Sequence, residues 1–556
     1  MANTNLDESV QLADILFPDI PVGRAAEILA ASKPRALPEG ACVTRFAPSP
    51  TGFLHIGGVY AALISERIAH QTKGVFILRI EDTDKQREVE GAIKIIAQGL
   101  GRFGISPDEG VLPDLSEAGA YGPYLQSERL DLYRVFLKEL VARGGAYPCF
   151  CSTEELDIAR ETQELQKVKT GYYGRWAKHR NISAAEVAER LARGETYVVR
   201  VKSRGADGEK LQFTDLVKGS LSLSVNDQDS ILLKSDGYPT YHWAHCVDDA
   251  LMQTTHVIRG DEWLSSAPLH VELFELMGWT IPQYAHIAPI VKIDETGTKR
   301  KLSKRKDPEA NVEFYFKEGY PISAVTEYLL NLANSNFEDW RRENQNAPSE
   351  KFVVRLDKGS VSGALFDFVK LADVSKEIVA RMTANEVYSA VLAWARENDS
   401  EFVLWLEKNS DYAQKIFNIE REGEKRRKDI AKWSDARNSI EYFITAPTEF
   451  VLSEKVSAAD ARAILEKVSE VINVEDTADV WLTKFRALAV ELGFAPDTKT
   501  FKTNPTAFKG TLGDVAGVLR VALTGRTNTP DLHQMMQVFG MDEVHARIDR
   551  AIAKLG

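Results

Sequence analysis

Residues 42–58 read Cys42-Val43-Thr44-Arg45-Phe46-Ala47-Pro48-Ser49-Pro50-Thr51-Gly52-Phe53-Leu54-His55-Ile56-Gly57-Gly58, and this stretch decides the fold. Cys42 to Phe46 has the length and composition of a short strand. The run Pro48-Ser49-Pro50-Thr51-Gly52 must turn, since two prolines and a glycine interrupt any ladder. A helix is then expected over 57–71, with Ala61, Ile64 and Ile68 on one face. Next comes Val75-Phe76-Ile77-Leu78, an uninterrupted apolar run that suits a strand buried on both faces. Strand, helix and buried strand in that order make a βαβ unit of a parallel sheet, hence an α/β fold. Such sheets bind ligands beyond the carboxyl ends of their strands. The turn at 47–58 and the acidic run Arg79-Ile80-Glu81-Asp82-Thr83-Asp84 both fall there.

The α/β pattern returns at 238–280, with a strand at Thr255-His256-Val257-Ile258 and a helix through Val271, Phe274 and Leu276. Between the two stretches, residues 146–235 differ in character. A polar helix over 153–168 leads to Gly171, Ser183-Ala184-Ala185-Glu186 reads as a capping box, and short strands are expected at 197–202, 221–225 and 230–234. This is the pattern of a domain inserted into the α/β fold. Residues 1–40 read as an accessory arm whose Leu12, Ile15, Leu16 and Phe17 dock as a short helix before Pro18. From about 375 onward the helical period dominates. Trp481, Phe485, Leu488 and Leu492 share a face, Gly493 stands at the helix stop, and Val544, Ile548, Ile552 and Leu555 repeat the pattern. No β-barrel pattern or internal repeat is visible there. The expected segments are 1–40, 41–145, 146–235, 236–285, 286–374 and 375–556.

Composition bounds the function class. A chain of 556 residues is expected to form three or four domains, and 44% apolar with 27% charged residues is ordinary for globular proteins. The four cysteines, Cys42, Cys149, Cys151 and Cys246, are too few for a disulfide framework and suit a reducing compartment. Asp7, Glu8, Asp14 and Asp19 near the start argue against a signal peptide, and no apolar run is long enough to span a bilayer. A cytoplasmic protein without a membrane partner is the expectation. The net charge of −12 counts only weakly against nucleic acid, because phosphate contacts depend on local patches. One patch is Lys-Arg-Lys-Leu-Ser-Lys-Arg-Lys at 299–306. The other, with Arg421, Lys425, Arg426, Arg427 and Lys428, reads as a solvated helix face.

Three clusters suggest chemistry. The N-terminus of the helix expected from about residue 57 attracts phosphate, Gly57 and Gly58 allow a nucleoside to approach the backbone, and His55 can donate to a developing negative charge. Glu81, Asp82 and Asp84 could together hold an ammonium group or hydrated magnesium. Lys301-Leu302-Ser303-Lys304-Arg305 suits polyphosphate. Taken singly, each also has an ordinary reading: a turn with a capping histidine, a solvated acidic loop, a basic surface loop.

Their order and separation are more specific. His55-Ile56-Gly57-Gly58 and Lys301-Leu302-Ser303-Lys304-Arg305 together resemble the two signatures of the class I aminoacyl-tRNA synthetases, His-Ile-Gly-His and Lys-Met-Ser-Lys-Ser. Within that class the chain is most similar to the bacterial glutamyl-tRNA synthetases. The carriers are Arg45 to Gly52, Arg79 to Asp84, Tyr238-Pro239-Thr240-Tyr241-His242 with Asp248-Asp249, Val257-Ile258-Arg259-Gly260-Asp261-Glu262-Trp263 and the lysine-rich loop. Leu519-Arg520-Val521-Ala522-Leu523-Thr524-Gly525 adds a looser match. The resemblance spans roughly 42–340 strongly and leaves out 1–40.

The resemblance implies a Rossmann-like nucleotide-binding domain, an inserted domain binding the tRNA acceptor end, and an all-helical anticodon-binding region. It implies a monomer that activates L-glutamate with ATP and magnesium and transfers it to tRNA(Glu), leaving open whether tRNA(Gln) is also a substrate. By position, His55 and Lys304 would be catalytic. Arg45, Ala47, Ser49, Glu81, Tyr241, His245 and Arg259 would hold glutamate. His55, Gly57, Gly58, Glu262, Trp263, Lys301, Ser303, Lys304 and Arg305 would hold ATP, and Leu519, Arg520 and Thr524 would lie on the anticodon side.

Three positions depart from the family pattern. Gly58 replaces the second signature histidine, and His245 stands where asparagine is common. Cys149-Phe150-Cys151 looks like half of a zinc site, but Trp176 occupies the place of a third cysteine and leaves only His179, so bound zinc is not expected.

The alternatives fit less well. A glutaminyl-tRNA synthetase would end in β-barrels, and a tRNA-base-modifying relative would be shorter. A small-carboxylate adenylyltransferase would not need the insert and helical tail. A non-catalytic tRNA-binding paralogue would not need Lys304, His55 and Arg259.

Overall fold

The computed structural model describes residues 2–303, 305–423 and 426–555, with side chains from Asp7 onward. The described residues form two compact units. One comprises 1–314 and 326–367, the other 315–325 and 368–556.

The first unit is built on an eight-stranded sheet. Its strands are β1 (Val43–Phe46), β2 (Val75–Leu78), β3 (Glu109–Val111), β4 (Glu117–Ala118), β5 (Lys210–Asp215), β6 (Gly219–Ser224), β7 (His256–Gly260) and β8 (Gln283–Ile287). Their spatial order is β4-β3-β2-β1-β7-β8-β5-β6. Six central strands run parallel, and an antiparallel strand closes each edge. As expected, β1 and β2 pair in parallel and are joined by helix Ile56–Gln71. Gly74 must be glycine where that helix returns to β2, because a Cβ there would lie 1.9 Å from the Cys42 carbonyl oxygen. From β1 the chain winds to β2 on one side, while β7 lies against its other side. The switch point, where open α/β sheets bind ligands, therefore falls between β1 and β7.

The inserted stretch has its own three-stranded antiparallel sheet, Ala146–Cys149, Val198–Val201 and Ile231–Leu233. The strand expected at 221–225 forms as β6 but joins the large sheet through the hairpin β5–β6, not the insert. Ser183 caps helix Ala184–Ala192 by accepting from the Glu186 N–H, but only half of the expected box forms, because the Glu186 carboxylate pairs with Arg190 instead. A complete capping box opens helix Thr153–Leu165, with Ser152 and Glu155.

The arm folds as helices Ala2–Leu16 and Arg24–Ala31. Leu12, Leu16 and Phe17 join a core with Phe136 and Leu140 of helix Leu130–Ala142 and Val187 of the insert. Lys138 is buried beneath the arm and donates to the carbonyls of Phe17 (3.1 Å) and Ile20 (2.7 Å).

The second unit is helical from Phe368 onward among its described residues. Trp481, Phe485, Leu488, Val544 and Ile548 share one core. The basic run at 421–428 is not a solvated helix face. Arg421 and Arg427 are buried and donate to main-chain carbonyls of Phe417, Val379 and Ile416. Lys425 lies outside the described residues. No described helix is long and apolar enough to cross a membrane.

Candidate active site

A cavity of about 480 Å³ opens at the switch point, a volume suited to small ligands. Arg45, at the end of β1, and Arg259, at the end of β7, face it from adjacent strands. Ala47, Ser49, His55, Gly57, Gly58, Glu81, Tyr241, Glu262, Trp263 and Lys301 also line it. Twelve residues that sequence reasoning singled out thus converge, because each sits just beyond a strand end or at the start of the helix that follows one.

Others do not converge. His245 is fully buried behind Tyr241, its ring stacked on the phenol at 5.6 Å, so it supports the cavity wall but does not line the cavity. Its Nδ1 lies 2.8 Å from Asp249, and burial carries its pKa down to about 3, leaving it neutral. Ser303 and Arg305 are not among the lining residues, and Lys304 lies outside the described residues. Asp82 and Asp84 do not join Glu81. Asp82 accepts from the Ser127 N–H and hydroxyl and pairs with Lys85, while Asp84 pairs with Arg87. A cluster of three carboxylates for a metal is therefore not formed.

Charge behind the cavity is closely matched. Helix Tyr241–Leu251 sends Asp248 and Asp249 inward on the same side as His245. Asp249 lies 2.7 Å from Arg79 and 3.3 Å from Arg45, while Asp248 lies 2.6 Å from Arg129. Glu81 lies 3.3 Å from Arg79. Buried charges persist only when paired in this way. Burial nevertheless outweighs the neighbouring arginines at Glu81 and raises its carboxyl to about 7.

Arg259 is held differently. Its Nε donates to His286 Nε2 (3.0 Å), Nη1 to the Tyr241 hydroxyl (3.2 Å) and His270 Nδ1 (3.1 Å), and Nη2 to the Trp263 carbonyl (3.2 Å). All four acceptors are neutral, and among the described residues no carboxylate lies within ion-pair range of Arg259. Of its five N–H groups, one on Nη2 is left for a ligand. The Tyr241 hydroxyl accepts from Arg259, so its own proton is available to donate. Burial raises its pKa and keeps that proton in place.

At the other end of the cavity, His55 caps helix Ile56–Gln71 by accepting from the Gly57 N–H at 2.9 Å. With Nδ1 accepting, the neutral ring carries its proton on Nε2, a donor. A Cβ at Gly58 would lie 3.2 Å from the tip of the Phe46 ring, a tight contact. Lys301 reaches Glu262 at 3.0 Å across the mouth. Arg300 makes two hydrogen bonds to Asp307, which also accepts from the Ser303 N–H and so fixes the turn after Lys301.

Sequence reasoning missed three groups: Asp215, His270 and His286 behind the cavity; Tyr172 in the insert; and the residues around Arg526. In the insert, Cys149, Cys151 and His179 do meet, their ligand atoms within 4.8 Å of one another. The Tyr172 hydroxyl lies beside them, 3.3 and 3.4 Å from the two sulfurs. In the second unit, Leu519 and Thr524 are buried and hold their helix, and Arg520 donates to Thr529. Beside them a polar cavity of about 500 Å³ is lined by Arg427, Lys428, Asn438, Tyr442, Arg526 and Thr529. Nothing in the local period brings these residues together, since three separate segments supply them.

A family model described as tRNA synthetases class I (E and Q), catalytic domain, matches residues 41–360. A second, described as an anticodon binding domain, matches 498–552. The chain is 48% identical to the glutamate--tRNA ligase of Clostridium perfringens (strain 13 / Type A), covering 97% of this chain and 99% of the relative. It is 46% identical to that of Sorangium cellulosum (strain So ce56), covering 93% and 95%. Among solved structures, the glutamate-tRNA synthetase of Elizabethkingia anophelis superposes with a TM-score of 0.69 at 29% identity, covering 92% of this chain and 100% of that one. The matched catalytic and anticodon-binding domains and the identity along nearly the whole length agree: the chain belongs to the glutamate--tRNA ligase family of class I tRNA synthetases.

Proposed function

We propose that this chain activates L-glutamate with ATP and transfers the glutamyl group to the 3′ end of tRNA(Glu). The observation that carries the reading is the neutral cradle of Arg259, which presents an unpaired positive charge to the cavity. The side-chain carboxylate of glutamate sits between Arg259 and Arg45 and accepts from the Tyr241 hydroxyl. The two guanidinium groups can only donate, so the amide nitrogen of glutamine would face donors there instead of a matching charge. A buried site that leaves polar groups unmatched rejects the wrong ligand strongly. Glu81 takes the α-ammonium group, whose charge favours the ionised carboxylate against its burial.

ATP lies with its phosphates toward the N-terminus of helix Ile56–Gln71, where main-chain N–H groups and His55 Nε2–H face negative charge. Lys301, with Lys304 and Arg305 of the same loop, neutralises the phosphates. Magnesium, assigned with ATP on the general chemistry of class I synthetases, supplies charge neutralisation at the phosphates; Asp82 and Asp84 face other partners. An oxygen of glutamate's α-carboxylate attacks the α-phosphorus and pyrophosphate leaves. A hydroxyl of the terminal tRNA ribose then attacks the activated carbonyl and AMP leaves. The chain's contribution is position and charge. We assign the acceptor end to the insert and anticodon reading to the polar cavity around Arg526, where exposed bases can stack and hydrogen-bond.

Charging assays with tRNA(Glu) and tRNA(Gln), each with glutamate and with glutamine, test the reading. Glutamate on tRNA(Glu) is the expected product. Comparable charging with glutamine would sink the pocket assignment. Glutamate on tRNA(Gln) would widen the tRNA range without changing the chemistry.

A further inference from the structure

Arg259, His286 and Asp215 lie in a row across three adjacent parallel strands. Arg259 of β7 is the register partner of His286 on β8, and Tyr284 of β8 is the register partner of Asp215 on β5. The guanidinium donates from Nε to His286 Nε2 at 3.0 Å. The other ring nitrogen, Nδ1, lies 2.6 Å from the Asp215 carboxylate, which also accepts from the main-chain N–H groups of His286, Val217 and Lys218. All three side chains are buried.

The partners settle the proton positions. A guanidinium N–H can only donate, so Nε2 of His286 must be bare. An ionised carboxylate can only accept, so Nδ1 must carry the hydrogen. His286 is therefore one neutral tautomer, with Asp215 fixing which one. A protonated ring, or the opposite tautomer, would turn an N–H toward the guanidinium and displace it. Burial outweighs the pull of Asp215 and lowers the His286 pKa, which preserves the accepting form. Asp215 also places a negative charge one ring away from Arg259. That charge offsets the cost of burying the guanidinium without occupying its remaining N–H.

We propose that Asp215 and His286 are positioning residues for substrate selection: together they hold Arg259 with one N–H aimed at the substrate carboxylate and its charge unpaired. This rests on the reading that Arg259 grips glutamate. Neither residue lines the cavity, and both act on Arg259, so their removal should weaken amino-acid use selectively. The effect should resemble the loss of one hydrogen bond to a charged group, about ten- to a hundredfold.

The test is aminoacylation of tRNA(Glu) by the full chain, measuring KM for glutamate, KM for ATP and kcat. His286→Ala should raise the glutamate KM about ten- to a hundredfold and leave the ATP KM within about twofold. His286→Gln, whose amide oxygen can accept from Arg259, should recover most of that loss. Asp215→Asn should raise the glutamate KM less than His286→Ala does, again without moving the ATP KM. An unchanged glutamate KM, equal rises in both KM values, or failure of His286→Gln to recover more than His286→Ala would overturn the pairing. Thermal melting of each variant identifies unfolded protein; if His286→Ala does not fold, Asp215→Asn and His286→Gln decide. Arg259→Ala, run in parallel, separates the two levels. If it leaves glutamate use normal, the pocket assignment itself falls. If it cripples glutamate use while the His286 and Asp215 variants do not, only the positioning role falls.

Discussion

Replacing Glu81 by glutamine should make the protein more stable and worse at binding its amino acid, by amounts that depend on pH. Burial raises the Glu81 carboxyl from its ordinary 4.5 to about 7, even beside Arg79. Across that interval of about 2.5 decades, at about 1.4 kcal/mol each, the ionised form is disfavoured by about 3 kcal/mol in the folded protein. A carboxyl raised on folding contributes stability that is full below pH 4.5 and lost as pH rises through 7. The amide of the glutamine variant does not titrate. The stability of Glu81→Gln relative to the parent should therefore rise by about 2–3 kcal/mol between pH 5 and pH 8. Urea unfolding followed by tryptophan fluorescence at both pH values measures this difference, in which groups common to both proteins cancel.

Binding should run the other way. The α-ammonium group of glutamate adds a positive charge beside Glu81 and draws it into its ionised form. Near pH 6.5 glutamate binding should release a proton, visible as a buffer-dependent enthalpy in calorimetry, and the variant should neither release it nor bind as tightly. A stability difference that is flat with pH would refute the burial argument. Unaltered glutamate affinity in the variant would refute the assignment of Glu81 to the ammonium group.

Three further outcomes are expected. Lys138→Met removes the donor to the Phe17 and Ile20 carbonyls and should cost about 2–3 kcal/mol; limited proteolysis should then cut the arm first, and an arm as resistant as in the parent would show that its apolar contacts suffice. Closed zinc sites are built from thiolate, imidazole and carboxylate ligands, so Cys149, Cys151 and His179 with a phenol should leave the purified chain with well under one zinc; one zinc per chain by elemental analysis, lost in both Cys149→Ser and Tyr172→Phe, would make Tyr172 the fourth ligand and refute this. Lys304→Ala should slow adenylate formation far more than it weakens ATP binding, since a cation beside the phosphates matters most where charge develops; equal losses in rapid-mixing and equilibrium measurements would reduce Lys304 to a binding group.

The sequence by itself determined the elements whose causes are local. The strand Val75–Leu78 is apolar throughout, Pro48 to Gly52 cannot continue a ladder, and the face bearing Trp481, Phe485 and Leu488 repeats at helical spacing. These features depend on neighbours a few residues away, so the chain alone displays them. It also marked most of the cavity lining, because parallel sheets bring strand ends to one edge and the chemistry-bearing residues lie just beyond those ends. Partner choice was left to the tertiary structure. His245 looked like a lining residue and is the wall behind one. Asp82 and Asp84 looked like companions of Glu81 and turn to Ser127, Lys85 and Arg87. Arg421 and Arg427 looked solvated and are buried on main-chain carbonyls. The attachment of hairpin 210–224 to the large sheet and the row Arg259–His286–Asp215 depend on pairings between strands that are separated in sequence and meet only on folding. The physical reason is that a polar side chain takes its role from the donor or acceptor it faces, and that partner is set by sheet order and register, which no local pattern encodes.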